Sequence, residues 1–157
     1  MPQKITLVSV GKVKNAALAA VIGDFEKKLG RYVQYMSIET KDVKRSKREA
    51  DARSAEAKLI LSNLPKGAHV VILDEKAKAR STQKLVDWFD ELERRCIGHL
   101  AFVIGGPDGL DRAVVDRSNE LLGLSPMTFT HEIARFLLTE QLYRVLSFRA
   151  GHPYHRV

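Results

Sequence analysis

Cysteine is all but missing from this chain. One residue, Cys96, stands among 157, so neither an internal disulfide nor a cysteine-built metal cluster is available. Aromatic residues amount to 7% with a single tryptophan, and the spaced aromatics of a common single-strand RNA module are absent. No apolar run approaches the roughly 18 residues a membrane span requires. The stretch "ITLVSV" at 5–10 is too short for the core of a secretory signal. Neither a G-x-G-x-x-G dinucleotide fingerprint nor a P-loop lysine-serine pair occurs. Together these gaps predict a cytoplasmic protein without a membrane partner and without a metal.

Acid is short as well. Lys and Arg number 26 against 19 Asp and Glu, for a formal net charge of +7 and a pI near 9.6. Such a chain attracts a polyanion, and nucleic acid is the commonest in the cytosol. A soluble protein that is merely basic has the same composition. Lys41, Lys44, Arg45, Lys47, Arg48 and Arg53 cluster against Asp42, Glu49 and Asp51. That run reads either as a solvated helix start or as a phosphate contact.

What is present alternates. Apolar runs at 4–11, 32–39, 69–74, 99–106 and 121–124 read as strands. Helical patterns follow at 15–29, 47–64, from Ser81-Thr82 onward, at 111–117 and at 131–149. In the third of these, Leu85, Phe89, Leu92 and Cys96 fall on one stripe. The pattern predicts a single domain, residues 1–157, of α/β class with a mostly parallel sheet flanked by helices. Ligands of such sheets sit beyond the carboxyl ends of the strands. That singles out Leu73-Asp74, "GGPDG" at 105–109 and "LSPMTF" at 124–129. The first glycine loop is either a plain turn or a place where backbone approaches a ligand without Cβ obstruction. Small hydroxyls and apolar walls in the second loop suit a nucleoside better than a triphosphate.

The last helix carries apolar residues in nearly every direction, so it should be buried all round. An outer helix covers only one side of a sheet, and a second copy of the chain is the simplest cover for the rest. His131 with Arg135 and Glu140 with Arg144 form two i, i+4 pairs about 180° apart on the wheel. The chain then closes on "HPYHRV". This tail is disordered, or a chance histidine pair short of a metal site, or a segment that folds over a nucleobase.

"LDE" after a buried strand, "FVIGGPDG", "SPMTFTHEIARFLLTEQLYR" and the terminal "HPYHR" together resemble the ribosomal RNA large subunit methyltransferase H family. That family lies within the SPOUT superfamily of α/β-knot methyltransferases. The resemblance spans nearly the whole chain. It implies S-adenosyl-L-methionine-dependent methylation of N3 of a pseudouridine in 23S ribosomal RNA, on the assembled ribosome. It implies a knotted C-terminal region and a homodimer formed through the last helix. Carried over by position, Leu73, Gly105, Leu124, Ser125, Pro126, Met127, Thr128 and Phe129 would bind the cofactor. His131, Arg135, Glu140, Tyr143, Arg144, Tyr154, His155 and Arg156 would form the catalytic set. Ala77 departs from the family, which usually carries glycine there. A non-catalytic ribosome-binding factor on the same fold is the alternative.

Overall fold

Each apolar run with enough β-branched residues becomes a strand, and the strands all run parallel. The computed structural model describes residues 1–43 and 48–154. In chain order the elements are β1 (Lys4–Val10), α1 (Ala16–Leu29), β2 (Gln34–Thr40), α2 (Glu49–Asn63) and β3 (His69–Leu73). There follow α3 (Thr82–Arg94), β4 (His99–Ile104), α4 (Arg112–Arg117), β5 (Glu120–Leu122) and α5 (His131–Arg149). The sheet order is β2-β1-β4-β3-β5. Four helices begin at side-chain caps: Asn15, Ser81, Asp111 and Thr130 each accept a backbone N–H of the first turn.

Alternate residues of a strand face opposite ways, and both faces are apolar. Ile5, Leu7, Leu100, Phe102 and Ile104 pack against Leu29, Phe89, Leu92, Leu138, Val145 and Leu146. That layer therefore holds α1, α3 and α5. Val8, Val10, Ala101 and Val103 meet Ala57, Ile60, Leu64 and Val114 on the other side, beneath α2 and α4. Fully buried side chains of this size contribute about 1.5–3 kcal/mol each. The result is a three-layer α/β/α sandwich, and the α/β expectation holds.

Two local expectations change. Cys96 does not join the stripe of Leu85, Phe89 and Leu92. Helix α3 ends before it, and Cys96 is exposed with φ of 56°, closing the helix in the left-handed conformation usually given to glycine. Strand β5 starts at Glu120 and stops at Leu122, one residue before the apolar run begins and two before it ends. Within one chain, α5 is buried on one side, as expected of an outer helix. It packs against α1 and α3 and buries Leu138, Leu142, Val145 and Leu146, while Ile133 and Phe148 stay 37% and 38% exposed. Lys44, Arg45, Lys47, His155 and Arg156 lie outside the described residues.

Candidate active site

At the carboxyl ends of β3 and β4 the chain opens into a cavity of about 840 Å³. The strand ends supply Ile72, Leu73 and Ile104. The loop 105–110 forms one wall, and the segment running into α5 forms the other. Of the residues expected to bind a cofactor, Leu73, Gly105, Leu124, Ser125, Met127, Thr128 and Phe129 line this space, and His131 stands at its edge. Pro126 belongs to the same loop but does not face in. Ser125 Oγ accepts the Met127 amide at 3.0 Å, a turn that leaves Met127 70% exposed.

Two glycines shape the walls. A Cβ on Gly105 would lie 2.8 Å from the Leu110 side chain. Gly105 is thus required first by its own loop, which folds Leu110 back over it, and only then by any ligand. A Cβ on Gly123 would overlap the carbonyl oxygen of Ala77. This close approach lets the segment after β3 lie flat on β5: Asp74 N–H donates to Leu122 O at 3.0 Å and Arg80 N–H to Gly123 O at 3.1 Å. Ala77 needs no positive φ here, so alanine replaces the usual glycine without strain.

The rim is acidic. Among the described residues, Asp74, Glu75, Asp108 and Glu132 stand around the cavity with Lys76 as the one lysine. Glu132 also accepts the backbone N–H of Lys14 at 2.7 Å, tying the loop after β1 to the start of α5. Nothing in the apolar pattern announces this ring, because its members come from separate loops and one helix start.

The expected catalytic residues divide into three groups. His131 is at the cavity. Arg135, one turn later, points away from it and is buried. Its guanidinium donates to Ser37 Oγ at 3.0 Å and pairs with Glu26 at 3.2 Å and Glu39 at 3.3 Å. It does not pair with His131. Tyr35 adds a hydrogen bond to Glu26, and burial, then the Glu26 charge, push its phenol well above the ordinary value.

Glu140, Arg144 and Tyr154 form the third group. Glu140 accepts from Arg144 Nε at 3.0 Å, from Gln141 at 2.7 Å and from the Tyr154 hydroxyl at 3.2 Å. The Arg144 guanidinium lies 5.0 Å from the centre of the Tyr154 ring, which meets Tyr143 edge-on at 4.7 Å. Burial and then Glu140 raise the Tyr154 pKa, so its hydroxyl remains a donor at neutral pH. Nine residues of helix separate His131 from Glu140, about 13 Å along the axis and half a turn around it. The described part of the tail therefore folds back along α5, away from its own chain's cavity.

A family model described as "Predicted SPOUT methyltransferase" matches residues 3–155. The chain belongs to the SPOUT methyltransferase family. Its relatives cover it almost end to end. "Ribosomal RNA large subunit methyltransferase H" of Anaeromyxobacter sp. (strain Fw109-5) is 37% identical over 155 residues, 98% of this chain and 99% of that one. The protein of the same name from Clostridium botulinum (strain Eklund 17B / Type B) is 38% identical over 157 residues, 97% and 99% of the two chains. A third, from Bifidobacterium adolescentis (strain ATCC 15703 / DSM 20083 / NCTC 11814 / E194a), is 35% identical over 158 residues, 98% and 99% of the two chains. As a SPOUT methyltransferase, the chain is an enzyme, and the cavity at its strand ends is the place to look for methyl transfer.

Proposed function

We propose that this protein is a cytoplasmic S-adenosyl-L-methionine-dependent methyltransferase of large-subunit ribosomal RNA, and that it methylates N3 of a pseudouridine in 23S RNA on the assembled ribosome. The acidic, apolar-walled cavity carries the reading. Its volume falls in the usual range for a small-molecule site, and its walls suit an adenosine. A ring of four carboxylates and one lysine favours a ligand with net positive charge, as a sulfonium with a free amino group has. Leu73, the 105–110 loop and the 124–129 loop would hold that ligand. When bound, S-adenosylmethionine supplies an electrophilic methyl group.

What remains for the protein is to place N3 and take its proton. N3 lies between two carbonyls, so deprotonation spreads charge onto both oxygens, and cationic donors beside them stabilise it. Arg144 and Arg156 suit that task. Arg135 does not, because its guanidinium is engaged by Glu26, Glu39 and Ser37 beneath α1; it positions α5 instead. Glu140 already takes donors from three side chains, which fits it to hold Arg144 and Tyr154 in place. His155 is then the better proton acceptor, and Tyr154 offers a ring for the base to stack on.

His131 and the Glu140 group lie on opposite sides of α5, so one chain does not bring them together. In a homodimer built on the exposed stripe of α5, the tail of one subunit would reach the cavity of the other. The knotted chain path implied by the family is part of the same reading. Mass spectrometry of 23S RNA fragments from cells with and without the gene tests the reaction. A methyl mark on pseudouridine that disappears with the gene and returns with the protein is expected. Calorimetric titration with S-adenosylmethionine separates this enzyme from a ribosome-binding factor, since no heat of binding would leave only the latter.

A further inference from the structure

The cavity that would take the methyl donor has the wrong charge for RNA. Among the described residues four carboxylates surround it with one lysine, whereas every nucleotide brings a phosphate. Attraction for a polyanion has to come from elsewhere on the molecule.

A second groove of about 690 Å³ lies along the outer edge of the sheet, between α3, β5 and the segment after β3. Lys78, Arg80, Lys84, Arg94 and Arg95 line it against Asp87, Glu91 and Glu120. The floor is built and neutralised internally. Glu120 accepts from His69 at 2.8 Å, Arg80 at 3.0 Å and the Trp88 indole at 3.2 Å, and Arg80 also lies 5.0 Å over the Trp88 ring. Lys78, Lys84 and Arg94 stand exposed on the rim. Arg80 Nη1 is shut off from solvent and has no acceptor among the described residues.

One chain segment joins the two sites. Asp74, Glu75 and Lys76 border the acidic cavity, and Lys78, Ala79 and Arg80 border the basic groove. Between Lys76 and Lys78 stands Ala77 alone, so the two sites adjoin along the chain. The groove offers no ring for a base to stack on, since Trp88 is buried and the exposed apolar residue of its lining is Leu121, so recognition there is chiefly electrostatic and indifferent to sequence.

We infer that the groove between α3 and β5 is a docking site for the sugar-phosphate backbone of the RNA substrate, carried chiefly by Lys78, Lys84 and Arg94. The inference rests on the proposed rRNA reading for its choice of polyanion. The test compares the full-length protein with the K78Q/K84Q/R94Q variant. Two probes are used: a labelled single-stranded RNA of about 12 nucleotides, and ribosomes from cells lacking the gene, each across a salt series. Titration with S-adenosylmethionine checks that the cavity is intact, and the expected affinity there is unchanged. On the RNA, the variant should bind roughly tenfold more weakly. Its salt slope should be lower by about 2, since neutralising one phosphate of a single strand adds about 0.7. Equal affinity and slope would overturn the inference. Weaker docking to ribosomes with unchanged RNA affinity would also overturn it, in favour of an acidic protein partner. If the wild-type protein left ribosomes unmethylated while the variant still bound RNA more weakly, the rRNA reading would fall and the groove would stand.

Discussion

Cys96 holds a backbone conformation that costs an L-residue about 1–2 kcal/mol. Its side chain is exposed, so its removal leaves no gap. Cys96→Gly should raise stability by about 0.5–1 kcal/mol after allowing for glycine's freer unfolded chain, read as a higher urea midpoint with an unchanged slope. Gly105 offers a sharper case. Gly105→Ala should weaken S-adenosylmethionine binding because the new methyl group meets Leu110. Leu110→Ala in the same chain should restore much of the affinity at some cost in stability. No recovery would mean the ligand itself needs the space.

Two glutamates, Glu56 buried and Glu120 half-buried, respond to pH in opposite senses. Burial raises Glu120, but hydrogen bonds from Arg80, His69 and Trp88 outweigh it and leave the carboxyl below its ordinary value. The stability it contributes is present at neutral pH and is lost as pH falls through that lowered value. Glu56 is raised, first by burial and then by Asp108 and Asp42. Its folded form holds a proton more tightly than the unfolded chain does, so its contribution worsens as pH climbs above the ordinary carboxylate range. Urea titrations should therefore find Glu120→Gln destabilising at pH 7 and Glu56→Gln stabilising at pH 7. Both differences should shrink below about pH 4.

At the scale of elements, α5 is the most legible part of the chain. Thr130 caps it, its apolar residues persist to Phe148, and its bounds match the pattern. Its internal pairings are not legible. Arg135 reads as half of a pair with His131, yet its partners Glu26 and Glu39 lie in α1 and β2, about a hundred residues away, and no local spacing encodes them. Strand β5 shows the same limit. A charged residue opens it because His69, Arg80 and Trp88 converge on Glu120 from other elements. The loops of the cavity can be located from strand ends, but the outward turn of Pro126 and the acidic ring cannot. Arg135 also predicts a magnitude. Its side chain is 7% exposed and pairs with two carboxylates. Arg135→Met should therefore cost about 3 kcal/mol, seen as a lower melting temperature, because it leaves both acids without their cation.

For the whole molecule the issue is what covers α5. Ile133 and Phe148 on α5 and Val21 on α1 remain exposed at 37%, 38% and 43%, and the Glu140 group faces away from its own cavity. The proposed homodimer accounts for both. Light scattering at micromolar concentration should give twice 17.6 kDa, and a monomer mass throughout that range would reject the dimer. Complementation goes further. A variant with Gly105 blocked, co-refolded with one truncated after Ala150, should regain methylation of ribosomes, because a mixed dimer has one sound cavity beside one sound tail. A mixture that stays silent, with mixed dimers shown to form, would place each tail in its own subunit.

The order of the strands also governs how the chain comes into being. Thr6 and His99, 93 residues apart, are hydrogen-bonded, so β1 acquires its second neighbour only after most of the protein has been made. The same face then waits for Val145 and Leu146, both essentially fully buried. Pairings this distant along the chain slow folding, and here they also delay it until α5 has been made. A nascent chain stopped short of α5 would present Ile5, Leu7, Leu100 and Phe102 to solvent and should be cut quickly by protease. Resistance should come abruptly once Arg149 clears the exit tunnel. On the proposed reading, a protein folded on one ribosome goes on to work on another.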